Sequence, residues 1–213
     1  MKTGILWDLD GTLLDTLEDL ADAVNYSLDQ FGYPERTLEE VRRFVGNGVQ
    51  KLISRAVPEG ADAAPVFDVF RPYYDAHCQV KTRPYKGIPG ALAELGKKYP
   101  MAVVSNKPDS AVKLLCAQYF PSLYARGESA DCPRKPAPDM VRKAMAELGV
   151  DRCIYVGDSE VDVLTAKNAG VPCLSVLWGF RDRAEIEAAG GTYFCESPGD
   201  LAQIIEKIIN TEK

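Results

Sequence analysis

The stretch Ile5-Leu6-Trp7-Asp8-Leu9-Asp10-Gly11-Thr12-Leu13-Leu14 decides how the rest of the chain is read. Residues 5–7 form a short apolar run of the kind buried on both faces in a parallel sheet. The run stops at two carboxylates one residue apart, and Gly11 then breaks the strand. Ligands of open α/β sheets bind just beyond the carboxyl ends of the strands. Two acids placed there repel each other unless a cation or a shared proton relieves them. A hard divalent cation takes oxygen ligands and commonly arrives with a phosphate group. Asp-Gly is also an ordinary turn pair, so this stretch alone leaves a plain strand end open.

Beyond Leu14 the period changes. Leu17, Leu20, Ala21, Val24, Leu28 and Phe31 form one helical stripe, with Asp15 or Thr16 as cap and Gly32 with Pro34 as stop. Thr37 and Glu40 have the spacing of a capping box. Gly46-Asn47-Gly48 breaks the next helix, Val49, Leu52, Ile53 and Ala56 mark another, and residues 66–80 read as a fourth with an aromatic edge. Residues 16–80 are thus expected to be all-helical, forming a domain inserted between 1–15 and 81–213.

From Pro84 onward helices and strands alternate. Helices are expected over 88–98, 109–119, 138–148, 161–169, about 182–189 and 200–209. Strands are expected over 101–104, weakly over 123–125, and over 153–156, 172–177 and 192–194. This alternation predicts an α/β fold, a Rossmann-like parallel sheet with helices on both faces, carrying the small all-helical domain.

Composition narrows the classes. The chain has 213 residues, an ordinary apolar share of 46% and a formal net charge of −6. That charge, without a Lys/Arg run, argues against nucleic acid. It does not argue against a small phosphorylated ligand, since a metal and one lysine reverse the field inside a site. The cysteines at 78, 116, 132, 153, 173 and 195 include no Cys-x-x-Cys pair. Neither a zinc site nor a redox motif is therefore expected, and a reduced cytoplasmic protein is. Residues 1–4 run straight into the first strand, so no signal peptide is expected. No apolar run approaches the ~20 residues of a membrane span.

Three apolar strands end in polar residues, at Asp8 to Asp10, at Ser105-Asn106, and at Asp158 with Asp162 beyond it. In a parallel sheet these ends share one edge. Carboxylates there suit a divalent cation, hydroxyl and amide donors suit phosphate oxygens, and Lys135, in a loop before a helix, is the candidate cation. These residues resemble the haloacid dehalogenase-like hydrolase superfamily, and within it the phosphoglycolate phosphatase-like members. Asp8-Leu9-Asp10-Gly11-Thr12 matches its first motif, Ser105 the second, Lys135 in its Lys-Pro-x-Pro context the third, and Gly157-Asp158-Ser159-Glu160-Val161-Asp162 the fourth. The motifs occur in order, and the resemblance covers essentially the whole chain.

The resemblance implies a phosphatase whose helical insertion is a cap closing over the site. It implies Asp8 as nucleophile, Asp10 as general acid and base, and Mg²⁺ held by Asp8, the main-chain carbonyl of Asp10, and Asp158. Ser105, the amide of Asn106, and Lys135 would bind the phosphoryl group, and Asp162 would hold Lys135 or a metal-bound water. Arg43, Asn47 and Lys107 are candidate substrate contacts, because residues 42–49 and Ser105-Asn106-Lys107-Pro108 resemble segments of phosphoglycolate phosphatases. His77, the only histidine, is expected to be structural. The expected partner is a small phosphorylated metabolite, 2-phosphoglycolate first, acted on by a monomer or homodimer. A β-phosphoglucomutase-like mutase, a pyrophosphate or nucleotide monophosphate hydrolase, and a non-catalytic phosphate-binding protein remain alternatives. A dehalogenase would leave Asp10 unexplained, and a phosphonate hydrolase would need a cap lysine such as Lys51.

Overall fold

The computed structural model describes residues 1–130 and 132–211. Its centre is a parallel sheet built on β1 (Thr3–Trp7), with β4 (Met101–Pro108) and β6 (Arg152–Gly157) on either side. The sheet continues outward to β5 (Tyr124–Glu128) beyond β4, and to β7 (Cys173–Val176) and then β8 (Tyr193–Cys195) beyond β6, giving the order β5-β4-β1-β6-β7-β8. The order reverses at β1, which makes its carboxyl end the topological switch point where such sheets bind ligands. Register confirms that the ends are level: Trp7 lies beside Val103 and Val156.

Side-chain alternation along β1 divides the apolar interior. Ile5 and Trp7 join a cluster with Ile88, Leu92, Val112, Leu115, Leu201 and Ile205, from the helices Ile88–Leu95 (α5), Asp109–Tyr119 (α6) and Leu201–Thr211 (α10). Leu6 faces the other way, toward Met140, Val141 and Ala144 of α7 (Asp139–Leu148) and Ala166 of α8 (Glu160–Ala169). A short α9 (Arg183–Ala188) lies between β7 and β8. The sheet therefore has helices on both faces, as its period-2 strands and 3.6-period helices require.

Between residues 16 and 80 the described structure holds four helices and no strand: α1 (Leu17–Asp29), α2 (Leu38–Phe44), α3 (Val49–Ala56) and α4 (Ala64–His77). The Thr37–Glu40 capping box forms as expected: the Thr37 hydroxyl accepts from the Glu40 amide at 3.2 Å and the Glu40 carboxylate accepts from the Thr37 amide at 2.8 Å. Thr16 does stand at the start of α1, yet its hydroxyl is not a helix cap; it donates to Asp10 at 2.7 Å. The fourth helix ends at His77, three residues short of the expected limit. A two-stranded ribbon absent from the sequence reading, β2 (Leu14–Asp15) with β3 (Arg83–Pro84), joins this segment to the sheet.

Candidate active site

Asp8 follows directly on β1, and its amide is still paired with the Val156 carbonyl at 2.8 Å. The carboxylate is buried and held from two sides: Oδ1 accepts from the Leu9 amide at 2.7 Å and lies 2.9 Å from Lys135 Nζ. Lys135 enters from the loop before α7 and is itself buried. Its ammonium also reaches Asp162 Oδ1 at 2.8 Å and the Tyr155 hydroxyl at 3.0 Å. Burial opposes the charge on Lys135, but Asp162 and Asp8 outweigh it and hold its pKa well above the ordinary value.

Asp158, at the end of β6, is equally buried. Its Oδ1 accepts from Thr12 Oγ1 at 3.1 Å and its Oδ2 from the Phe180 amide at 2.7 Å. The turn after β1 presses against it, and a Cβ added to Gly11 would stand 2.3 Å from Asp158 Oδ2. Gly11 also has φ +79°, so both space and backbone demand glycine there. Burial first, and Asp162 second, push the Asp158 carboxyl up to about 7. Burial likewise lifts Asp8 well above the usual carboxylate range, against the pull of Lys135.

Asp8, Asp158 and Asp162 offer oxygens within 4.8 Å of one another. Among the described residues Lys135 is the one cation paired with this group, so three ionised carboxylates there would carry a net charge near −2. Such an excess is costly away from water, and an all-oxygen donor set that a divalent charge would neutralise is suited to a hard cation. The cluster could hold a metal. Asp162 contributes charge more than free ligand atoms: Oδ1 faces Lys135 and Tyr155, and Oδ2 accepts from the amide and hydroxyl of Ser159 at 3.1 and 2.6 Å.

Asp10 stands apart from that cluster. Its Oδ1 lies 2.7 Å from Lys107 Nζ and 2.7 Å from Thr16 Oγ1. The Lys107 ammonium is buried beneath α4, 4.8 Å from the Tyr74 ring centroid. Burial opposes the charge on Lys107, but Asp10 and Tyr74 together outweigh it and raise its pKa. Ser105 is buried on the wall of the cavity, and its Oγ accepts from the Lys107 amide at 3.2 Å. The Asn106 side chain clamps the Lys135 main chain, accepting from its amide at 2.7 Å and donating to its carbonyl at 3.0 Å.

These residues surround one cavity of about 40 Å³, roofed by Leu20, Val45, Val49 and Leu52 from the helical segment. Of the expected residues, Asp8, Asp10, Ser105, Asn106, Lys107, Lys135 and Asp158 all line it. Arg43, Asn47 and Asp162 do not line it. The Arg43 side chain is 74% exposed and pairs with Glu39 at 3.0 Å, one helical turn away. Asn47 turns its Oδ1 to Arg55 at 2.7 Å. Lys51 is exposed on α3. Thr12, Thr16, Tyr155, Phe180 and Arg181 also belong to the site or its supports and were not expected from the sequence. Thr12 sits inside the first motif, whereas Tyr155 reads as an apolar strand residue and Arg181 as one charge among several in a loop.

A parallel sheet whose switch point carries paired acids, a buried lysine and an acidic metal-type cluster under a helical roof defines a hydrolase of the phosphate-handling kind. Comparison with known proteins agrees with that class. The family model described as haloacid dehalogenase-like hydrolase matches residues 5–176. A phosphoglycolate phosphatase of Pseudomonas putida is 36% identical over 197 residues, 86% of this chain and 72% of its own length. One of Aquifex aeolicus is 32% identical, covering 96% of this chain and 97% of its own. A crystal structure from Lactobacillus delbrueckii, of a protein proposed to be a phosphoglycolate phosphatase, superposes with a TM-score of 0.92. It shares 37% identity, over 96% of this chain and 99% of its own. The chain belongs to the haloacid dehalogenase-like hydrolase family and is a hydrolase.

Proposed function

We propose that the chain is a Mg²⁺-dependent phosphatase that cleaves a small phosphate monoester through an aspartyl-phosphate on Asp8, with 2-phosphoglycolate as the substrate. The observation that carries the reading is the pairing of two differently held carboxylates, Asp8 on Lys135 and Asp10 on Lys107, facing one small cavity. The names of the relatives support the substrate class. The small cavity, about 40 Å³, supports a compact ligand.

In this reading the Asp8 carboxylate attacks phosphorus, and the bond to the leaving oxygen breaks as Asp10 gives that oxygen a proton. Asp10 then takes a proton from a water whose oxygen attacks phosphorus; the bond between phosphorus and the Asp8 oxygen breaks, which frees the Asp8 carboxylate and releases phosphate. Lys135 orients Asp8 and, with Ser105 and the Asn106 amide, offsets charge on the phosphoryl oxygens, the contribution on which phosphoryl transfer most depends. Asp162 and Tyr155 fix Lys135 in turn. Asp8, the Asp10 carbonyl and Asp158 would hold Mg²⁺, which supplies charge neutralisation when bound.

Residues 16–80 act as the cap over a core of 1–15 and 81–213. The free cysteines, most of them buried, suit the reducing cytoplasm, and no described helix is long and apolar enough to cross a membrane. The test is phosphate release from a panel of small esters with Mg²⁺, beside Asp8→Ala. Release should peak on 2-phosphoglycolate and vanish in the variant. A flat profile overturns the substrate, and no release from any ester overturns the phosphatase.

A further inference from the structure

The main-chain carbonyls of residues 42–47 each accept a hydrogen bond from a side chain. Arg181 donates to Arg42 at 3.0 Å, to Arg43 at 3.4 Å and to Val45 at 2.6 Å. Arg55 donates to Phe44 at 2.8 Å, Asn106 to Gly46 at 3.2 Å and Arg134 to Asn47 at 3.0 Å. Only Arg55 comes from the helical segment itself. The other donors come from the sheet side of the cavity, and Arg181 supplies half of the contacts.

Arg181 is well built for this task. It is 7% exposed, and its Nε donates to Glu160 at 3.0 Å, which fixes the plane of the fork. Its Nη groups meet the carboxyl end of α2, where helix carbonyls lack intrahelical partners and the dipole favours a cation. A fifth, longer contact runs to the Phe180 carbonyl at 3.5 Å. All five N–H groups of the guanidinium are thereby engaged, so Arg181 is not available to grip a substrate. Arg181 itself borders the cavity, but its donors are spent on the turn beside it, whose Val45, Gly46, Gly48 and Val49 also form part of the lining.

We propose that Arg181 is a positioning residue that seats the turn at residues 45–48 over the cavity, and that this seating restricts the enzyme to small phosphate esters. The size restriction rests on the function proposed above; the seating does not. Because Arg181 grips main-chain carbonyls, it holds the turn whatever side chains the turn carries. A lysine puts one point charge where the fork makes a planar set of bonds, so Arg181→Lys cannot replace it.

The experiment compares wild type, Arg181→Lys and Arg181→Ala with Mg²⁺, on 2-phosphoglycolate and on the bulkier p-nitrophenyl phosphate, with hydrogen exchange read across residues 42–52. Circular dichroism confirms folding of each variant. The seated turn predicts that KM for the small ester rises about 10-fold in Arg181→Ala, with kcat changed less. Activity on the aryl ester is retained or rises, and amide exchange in the turn accelerates. Arg181→Lys follows Arg181→Ala instead of rescuing it. A parallel loss on both esters, or unchanged exchange, overturns the proposal. Failure of wild type to hydrolyse either ester would instead defeat the functional reading, leaving exchange in the variants to decide the seating.

Discussion

Asp158 is held at a cost to the stability of the metal-free protein, and the cost is measurable. Burial, helped by Asp162, places its pKa at about 7 in the folded chain, against ~3.9 for an unfolded aspartate. The folded state therefore binds the proton more tightly. The stability linked to this group is complete below about pH 4 and is lost as pH rises through about 7. Roughly three units at 1.36 kcal/mol each make the loss about 4 kcal/mol. Asp158→Asn removes the titration while keeping an oxygen acceptor for Thr12 or the Phe180 amide. Urea unfolding in EDTA from pH 4 to 8 should show the variant gaining on wild type by about that amount as pH rises. Added Mg²⁺ should close most of the gap by stabilising wild type and leaving the variant unmoved. A difference between the two proteins that stays constant within ~1 kcal/mol across this range would mean that Asp158 is not strained by its surroundings.

Other outcomes follow from the same contacts. Lys135→Ala strands Asp8 and Asp162; it should cost about 3 kcal/mol near neutral pH in denaturant unfolding and lower kcat by about 10²–10³. Gly48 has φ +84°, and a Cβ there would stand 2.9 Å from Arg134. Gly48→Ala should therefore destabilise by about 1–2 kcal/mol and raise KM, read by thermal unfolding and steady-state kinetics. EDTA should abolish phosphate release and Mg²⁺ restore it. Ca²⁺, which takes more oxygens in looser geometry, should restore far less.

How far the sequence revealed this molecule depended on what kind of bond does the work. The strand ends at Asp8 and Asp158 were legible because an apolar run stopping at an acid leaves a pattern. The β2–β3 ribbon was not, since two-residue strands leave no period to detect. β4 was expected to end near Ser105, but pairing with β5 resumes, with a register shift, at Pro108. Its polar residues are wall, not loop, which is why Lys107 meets Asp10. Arg43 was misplaced although the information was available: Glu39 lies one turn before it, the spacing of a helical ion pair. Arg181 was out of reach, because all its partners but Glu160 are main-chain carbonyls, and every residue type has one.

In the proposed reaction Asp8 becomes phosphorylated during turnover, and borohydride trapping is the measurement that sees this directly. Turnover on 2-phosphoglycolate would be quenched in acid, any acyl phosphate reduced, and the peptide carrying the first strand examined by mass spectrometry. Asp8 should be converted to homoserine in wild type, and no residue should be converted in Asp8→Asn. Sustained phosphate release with no conversion, or conversion at Asp10 instead, would contradict phosphorylation of Asp8.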